Sequence, residues 1–514
     1  MRSVSLSRVF SAVIGLKFIP LKTKKGGKAI VIGAGVAGLA SAIRLVAEGY
    51  QVQIFEKNDF CGGKLSEIKL GEFRFDAGPS LFTMPHLVEE LYWISGKKST
   101  DFRYHKLEEV CRYFFPDGTR FHMPANEEDR IRVLSNTLGE DPKMLRKYLE
   151  TSRFRYETIG RLFVERCLRK ASTFFNPLAL KAYLNLGKLG LFSSLAAWNK
   201  RMFRNPLTQQ LFNRYATYNG SDPFQTPAVM GMIPHLEYGI GAFFPKGGMI
   251  RISESLQELA LELGVEIRTG VAVESIQTSG NKATGIQTEQ GIFDCDVLVS
   301  AVDVSLTYKR LLGKKSRAEK YSRLPKSTSA IIWYWGIGRQ TPQTGLHNIF
   351  FSSDYPKEFR QLFGVKTMPD EPSIYLNISS KENPADAPEG KENWFVMVNA
   401  PANEGQDWDN LLAESRKFVL QKLSTELGFE VEDFIEAETV LDPRSLETRT
   451  GGVGGALYGN NSNHPFAAFL RHANFSSEYS NLFFCGGTVH PGGGIPLALQ
   501  SARIAVDYVK EKHK

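Results

Sequence analysis

The stretch KAIVIGAGVAGLASAIRLVAEGYQVQIFEK, residues 28–57, constrains the fold more than any other part of the chain. A short β-branched run, Lys28 to Ile32, suits a buried parallel strand and stops at Gly33-Ala34-Gly35-Val36-Ala37-Gly38. Gly33 permits a tight turn, Gly35 lets the backbone approach a pyrophosphate, and Gly38 lets the next helix lie close on the sheet. That helix, over 36–48, aims its N-terminal N–H groups at the phosphates, and Gly49 closes it. Residues 51–55 form a second strand. Glu56, at its end, falls 18 residues after Gly38, where a carboxylate can accept both hydroxyls of a ribose. Strand, turn, helix, strand and acid in this order predict a bound dinucleotide within an α/β, Rossmann-like domain.

At 514 residues the chain exceeds one simple core, and about three structural units are expected. The net charge of +8 is concentrated: residues 143–214 hold 15 Lys and Arg against 3 Glu, so the remainder is acidic. This segment is helical in pattern, with breaks at Asn176-Pro177 and Asn205-Pro206, and carries many apolar side chains. It fits a helix lying on an anionic membrane or a solvated lid packed on its own domain. No nucleic-acid motif accompanies it, so nucleic acid is excluded as a partner. Five cysteines, far apart and without a CxxC, indicate free thiols in a reducing compartment and no metal framework. Residues 1–27 lack Asp and Glu but hold six Lys and Arg; a basic extension is expected, with an upstream start or a transit peptide as alternatives. No stretch reaches transmembrane length, so any membrane contact is peripheral.

Two further glycine turns follow Glu56, at Gly62-Gly63-Lys64 and Gly78-Pro79, and Gly247-Gly248 precedes a helix over 250–263. Strands are expected at 265–267, 271–277, 283–288 and 296–300, the last inside the first sheet. An aromatic hairpin around Asp117-Gly118 and β-rich runs at 330–337, 373–378 and 394–399 suit a mixed or antiparallel substrate sheet. Near the C-terminus, the strand 482–485 leads into Gly486-Gly487-Thr488-Val489-His490-Pro491-Gly492-Gly493-Gly494-Ile495-Pro496 and a helix. A second anion-receptive helix start, more than 400 residues after the first, is what FAD requires and NAD does not: it stabilises negative charge on the pyrimidine edge of a reduced flavin.

These residues together resemble the FAD-dependent carotenoid desaturases of the bacterial and fungal phytoene desaturase type, within the amine-oxidase-like flavoprotein superfamily. The most specific parts are 487–496, Phe73-Arg74-Phe75-Asp76-Ala77-Gly78-Pro79-Ser80 and Phe243-Phe244-Pro245-Lys246-Gly247-Gly248-Met249, while the run RYATYNGSDPF, residues 214–224, and the tail are similar to desaturases of phytoene or of later acyclic and 1-hydroxylated carotenoids. The resemblance implies an FAD domain from 28–80, 240–305 and 478–514, a substrate domain from 81–126 and 306–477, and a helical, basic, membrane-facing lid over 127–239. It implies that Gly33, Ala34, Gly35, Gly38, Glu56 and Lys57 hold the ADP half, with Val273 at the adenine. Gly62, Gly63 and Lys64 line the pyrophosphate, Gly78 and Pro79 lie near the flavin, and Gly487, Gly494 and Ile495 hold the ribityl chain and pyrimidine edge. Gly486-Gly487 stands where related oxidases often carry an acid, which leaves the ribityl without that carboxylate.

The implied reaction is removal of a hydride from an allylic CH₂ and of a proton from its neighbour, with quinone or oxygen as final oxidant. Glu237, two residues after His235, is the candidate base, with a surface-loop role as the alternative, and His490 is expected to shape its loop. The implied location is the cytoplasmic face of a membrane. Alternatives are a flavin-dependent carotenoid isomerase, a polyene saturase, and, outside enzymes, a prenyl-binding escort protein.

Overall fold

The computed structural model describes residues 26–99 and 102–512. The basic N-terminal extension therefore lies almost wholly outside the described residues.

The first strand, Lys28–Ile32, is central in a five-stranded parallel sheet. Gln51–Phe55 and then Glu266–Arg268 flank it on one side; Val297–Ser300 and then Leu482–Phe484 flank it on the other. The apolar 297–300 run sits inside this sheet, as its continuous hydrophobicity requires. The helix Val36–Ala47 covers one face and buries Leu39, Ile43 and Leu45, each worth about 1.5–3 kcal/mol. Gly38 makes this packing possible, because a Cβ there would lie 1.9 Å from the Gly33 carbonyl oxygen. The helix Ile495–Lys512 packs beside it, so segments from early and late in the sequence build one domain.

Residues 273–294 depart from the expected arrangement. Val273–Ser279, Lys282–Thr288 and the unanticipated Gly291–Asp294 form their own antiparallel sheet beside the parallel one. Two helical segments outside the strands of the first sheet pack on it. The helix His86–Ile94 seats Leu87, Val88 and Leu91 on the cofactor-domain core, and Tyr308, Leu311 and Ala318 do the same from residues assigned to the substrate domain. Short amphipathic helices bury their apolar face wherever an uncovered face is within reach, which sequence order does not reveal.

The second sheet has seven strands in the order Ile435–Leu441, Ser329–Ile337, Glu392–Ala400, Ile374–Asn377, His347–Phe350, Glu109–Phe114, Arg120–Pro124. It is antiparallel except where His347–Phe350 runs parallel to Glu109–Phe114, and it is therefore mixed. The Asp117-Gly118 hairpin forms its edge. Above lies the helical region. Asn176 and Asn205 do not merely interrupt helices but start them, each side-chain oxygen accepting from the N–H two residues on, with proline next in line. Part of the basic character is internal: Arg155 lies 3.8 Å from the centre of the Trp198 ring and donates to Ala228 O at 2.7 Å.

One carboxylate ties the parts together. Asp76 accepts from the backbone N–H of Met249 (2.8 Å) and Ile250 (3.0 Å), and Arg74 links it to Asp386 of the substrate domain. The two motifs 73–80 and 243–249 are thus halves of one joint.

Candidate functional site

At the first glycine turn, Gly33 holds φ +96° and Gly35 precedes the helix without any side-chain cap, which leaves the first-turn amides open to an anion. Glu56 fixes the turn from below: one oxygen accepts from Ala34 N (2.7 Å), the other from Asn58 N (3.0 Å). A carboxylate offers about four acceptor sites, so two remain for a ribose. Ala34 and Gly38 stand behind the turn rather than facing the cavity, whereas Gly33, Gly35, Glu56, Lys57 and Val273 line it.

The second turn closes over the first. Gly62 N donates to Ala34 O (2.8 Å), and Gly35 and Gly62 form a parallel bridge. A Cβ on Gly35 would meet only Gly63 Cα at 3.9 Å and Gly62 O at 4.0 Å, so the missing side chain leaves a narrow open cradle. Lys64 donates to Leu457 O (2.8 Å) and Ala456 O (3.2 Å), and burial pulls its ammonium down to about 8. Gly78 passes so close that a Cβ would lie 1.8 Å from Lys64 O, which brings the Gly78-Pro79 turn to the same cavity. From the far end, Gly487, Gly494 and Ile495 line it too; Gly494, at φ +106°, has open space where a Cβ would stand. Three glycine-rich turns around one cavity, the first at an uncapped helix start and the last leading into the helix at Ile495, fit an elongated dianion with a planar ring at one end, which is the shape of FAD.

His490 does not reach the cavity lining. Its Nε2 donates to Arg166 O (2.8 Å), and burial lowers its pKa to about 4, so it is a neutral loop-shaping residue. Cys61 and Cys485 are buried thiols pushed up to about 11 and about 12, which makes them inert.

The cavity continues beyond the glycine turns to ≈ 1250 Å³, more than the about 1,000 Å³ that bounds ordinary single-ligand pockets. Its further walls are apolar, with Ile159, Leu162, Phe163, Leu168, Val229 and Met232 among them. On the cavity lining Phe192 is 89% exposed, and in the same helical segment Phe175 is 85% exposed, with Leu180 and Leu184 also in solvent. Lys181, Lys188 and Lys200 are exposed on the same segment.

Glu237 is not on a surface loop. It is 2% exposed, within the π-helical turn His235–Ile240, and lines the cavity. Its carboxylate accepts from Arg214 (3.3 Å), Tyr215 (3.0 Å) and Tyr218. Arg214 also donates to Tyr113 (2.7 Å) and Tyr218 (3.1 Å) and lies against the rings of Tyr113, Tyr215 and Tyr218. Desolvation is the largest influence on these tyrosines and holds their hydroxyls protonated, well above the usual phenol range. His235 stays apart, packed on Tyr156.

Several lining residues carried no expectation from the sequence. Arg449, Gly451, Gly452 and Gly455 join the cofactor end, and His347 and Tyr375 the polar cluster. The glycine run 451–455 was a readable signal; a lone His347 was not.

The model of the family described as flavin containing amine oxidoreductase matches residues 36–510. A 1-hydroxycarotenoid 3,4-desaturase from Flavobacterium sp. (strain P99-3) is 49% identical over 94% of this chain and 99% of its own. A phytoene desaturase from Fusarium fujikuroi is 30% identical over 93% of this chain and 88% of its own. Among solved structures, a putrescine oxidase variant aligns with TM-score 0.62 at 15% identity, covering 94% of this chain and 99% of that one, a likeness of fold.

Proposed function

The chain belongs to the flavin-containing amine oxidoreductase family, and on that premise we propose that it is an FAD-dependent desaturase of acyclic carotenoids in carotenoid biosynthesis. The observation that carries the proposal is the single cavity that joins the dinucleotide cradle to a long apolar channel with an exposed apolar rim. The relatives that span nearly its whole length include a 1-hydroxycarotenoid desaturase and a phytoene desaturase, which favours an acyclic or 1-hydroxylated polyene as substrate.

Bound in the cradle, FAD supplies a two-electron acceptor for the hydride that leaves an allylic CH₂. The protein's own work is positional. The helix start at Ile495 and the open space at Gly494 would favour negative charge on a flavin ring held there. The joint through Asp76 and Arg74 anchors the strand that leads into the Gly78-Pro79 turn, which lies against Lys64 on the cavity lining. The apolar walls exclude water from the reacting carbons. A proton must also leave the neighbouring carbon. Glu237 retains one of about four acceptor sites after its three hydrogen bonds, and it is the proposed acceptor. Glu237→Gln that turns over at the wild-type rate removes this role.

The polyene resides in a bilayer, and the exposed Phe175, Leu184 and Phe192 beside Lys181 and Lys188 suit peripheral docking, at the cytoplasmic face in this reading. No helix among the described residues is long and apolar enough to cross a membrane. Flotation with anionic liposomes is expected, and loss of flotation in Phe175→Ser/Phe192→Ser; a wild type that stays in solution contradicts docking. Quinone or oxygen is the proposed final oxidant.

The deciding test feeds the FAD-loaded protein with an acyclic carotene and with its 1-hydroxylated counterpart and follows the absorption spectrum. A red shift with either is expected, since each new double bond lengthens the chromophore. No shift with any acyclic polyene overturns the proposal.

A further inference from the structure

A dinucleotide that runs from the first glycine turn to the tail turn must pass whatever lies between them, and residues 300–304 lie there. Ser300 O accepts from Cys485 N (3.0 Å), which ties the end of the strand Val297–Ser300 to the strand that enters the tail turn. Val302 faces the first turn, its Cγ2 3.6 Å from where a Cβ on Gly33 would stand. Val304 N donates to Thr488 Oγ1 of the tail turn (3.1 Å). Asp303 therefore stands between the turn that suits the pyrophosphate and the turn that suits the ring.

Asp303 brings an open oxygen to that place. Its Oδ1 accepts from Ser305 N (2.7 Å) and Leu306 N (3.3 Å) and so caps the short helix Val304–Leu306. Oδ2 has no hydrogen-bond partner among the described residues, and the residue keeps accessible surface on the cavity lining. Burial raises its pKa above the ordinary aspartate value, while the Lys326 and Lys64 charges oppose that rise and favour the ionised form. Neither ammonium pairs with it: Lys64 is held by the Leu457 and Ala456 carbonyls, Lys326 by Tyr321 O (3.1 Å) and Asn460 Oδ1 (3.0 Å). The other carboxylates on the lining are engaged or lie apart. Glu56 holds the first turn, Glu237 sits among its tyrosines, Glu447 accepts from Gly454 N (3.0 Å) and Asn403 (3.2 Å), and Glu274 is exposed.

A carboxylate repels phosphate and offers nothing to a hydrocarbon; its complement is a hydroxyl or N–H donor. Between the pyrophosphate and the ring of FAD, the hydroxyls belong to the ribityl chain. We propose that Asp303 accepts hydroxyls of the FAD ribityl chain and thereby sets how far along the cavity the flavin ring lies. The proposal rests on the FAD cradle described above and assigns its middle. The tail turn has only Gly486-Gly487 where such an acid could stand, and a Cβ on Gly486 would come to 3.4 Å from Ala301 O at a φ of +107°. The carboxylate comes instead from the end of the neighbouring strand in the same sheet.

The test titrates flavin-stripped wild type, Asp303→Ser and Asp303→Asn by calorimetry with FAD and with ADP, which lacks the ribityl chain. Serine still caps the helix but is too short to reach into the cavity, and asparagine caps it and keeps an acceptor oxygen without the charge. Both variants are therefore expected to fold, and thermal melts of the stripped proteins check this. The Kd for FAD is expected to rise about ten- to a hundredfold in Asp303→Ser and by less in Asp303→Asn. The Kd for ADP is expected not to rise in either, because the lost charge repels phosphate. A purely structural aspartate would weaken both ligands alike. Equal weakening of FAD and ADP, or FAD binding unchanged in Asp303→Ser, overturns the assignment and leaves the cofactor reading standing. A wild type that takes up no FAD overturns both.

Discussion

The cradle between the two glycine turns makes a sharp prediction for Gly35→Ala. Gly35 has φ −69° and ψ 172°, extended backbone open to any residue. The added methyl meets nothing nearer than Gly63 Cα at 3.9 Å, an ordinary van der Waals contact. The FAD-free protein should therefore lose little; the stiffer unfolded chain offsets about 0.4–1 kcal/mol of any cost. FAD binding should suffer, because the methyl stands where a pyrophosphate must approach the helix N–H groups. Loss of one charge-assisted hydrogen bond costs about 1.5–3 kcal/mol, or about ten- to a hundredfold in Kd. Gly38→Ala differs in kind: its Cβ would press to 1.9 Å from Gly33 O, forcing helix and strand apart at about 1–3 kcal/mol in the FAD-free protein itself. The assays are thermal denaturation of protein stripped of flavin and fluorescence titration with FAD. A Gly35→Ala protein that binds FAD within threefold of wild type, or whose FAD-free Tm falls as far as that of Gly38→Ala, refutes this assignment of the two glycines.

Two pH effects follow from burial. Lys64 is about half protonated near pH 8 without ligand, and a dianion prefers its charged form. The Kd for FAD should climb above pH 8, by up to about tenfold per pH unit, and Lys64→Met should flatten that climb; titrations from pH 7 to 9.5 check it. His472 has its folded pKa lowered from 6.5 to about 4 by burial, with Tyr308 donating to its Nε2 at 3.0 Å. The unfolded chain takes up the proton first, so the contribution is full above pH 6.5 and is lost as pH falls toward 4. By pH 5 the loss is about 2 kcal/mol. Denaturant melts of wild type and His472→Gln at pH 7.5 and 5.0 should show their stability difference shrinking by that amount.

The parts of the site legible in the sequence are those where the backbone does the work. Gly33, Gly62, Gly78 and Gly494 announce themselves because glycine alone tolerates the close approach or positive φ found at each, and Gly35 because its missing side chain leaves the cradle open. The parallel sheet was legible for a similar reason: Val297–Ser300 is buried on both faces and reads as an unbroken apolar run. The strand His347–Phe350 has only four residues and no such run. What it positions, His347 near Arg214, joins positions more than a hundred residues apart through the end of an interior strand, and no local spacing encodes that. Glu237 was noticed, yet its setting was not: the same carboxylate reads as surface or core until Arg214, Tyr215 and Tyr218 are seen to close on it.

That closure bears on how Glu237 is held. A buried Arg–Glu pair is weak as a source of stability, since desolvation offsets most of the attraction, and an apolar filling of equal volume would serve a hydrocarbon channel as well. Here the desolvation is met locally. Three tyrosine rings lie 4.7–5.4 Å from the Arg214 guanidinium carbon, and two of their hydroxyls donate to Glu237. The cluster is thus held in place before any ligand enters, and the proposed proton acceptor Glu237 meets the substrate in a fixed position, its ordering cost already met in folding.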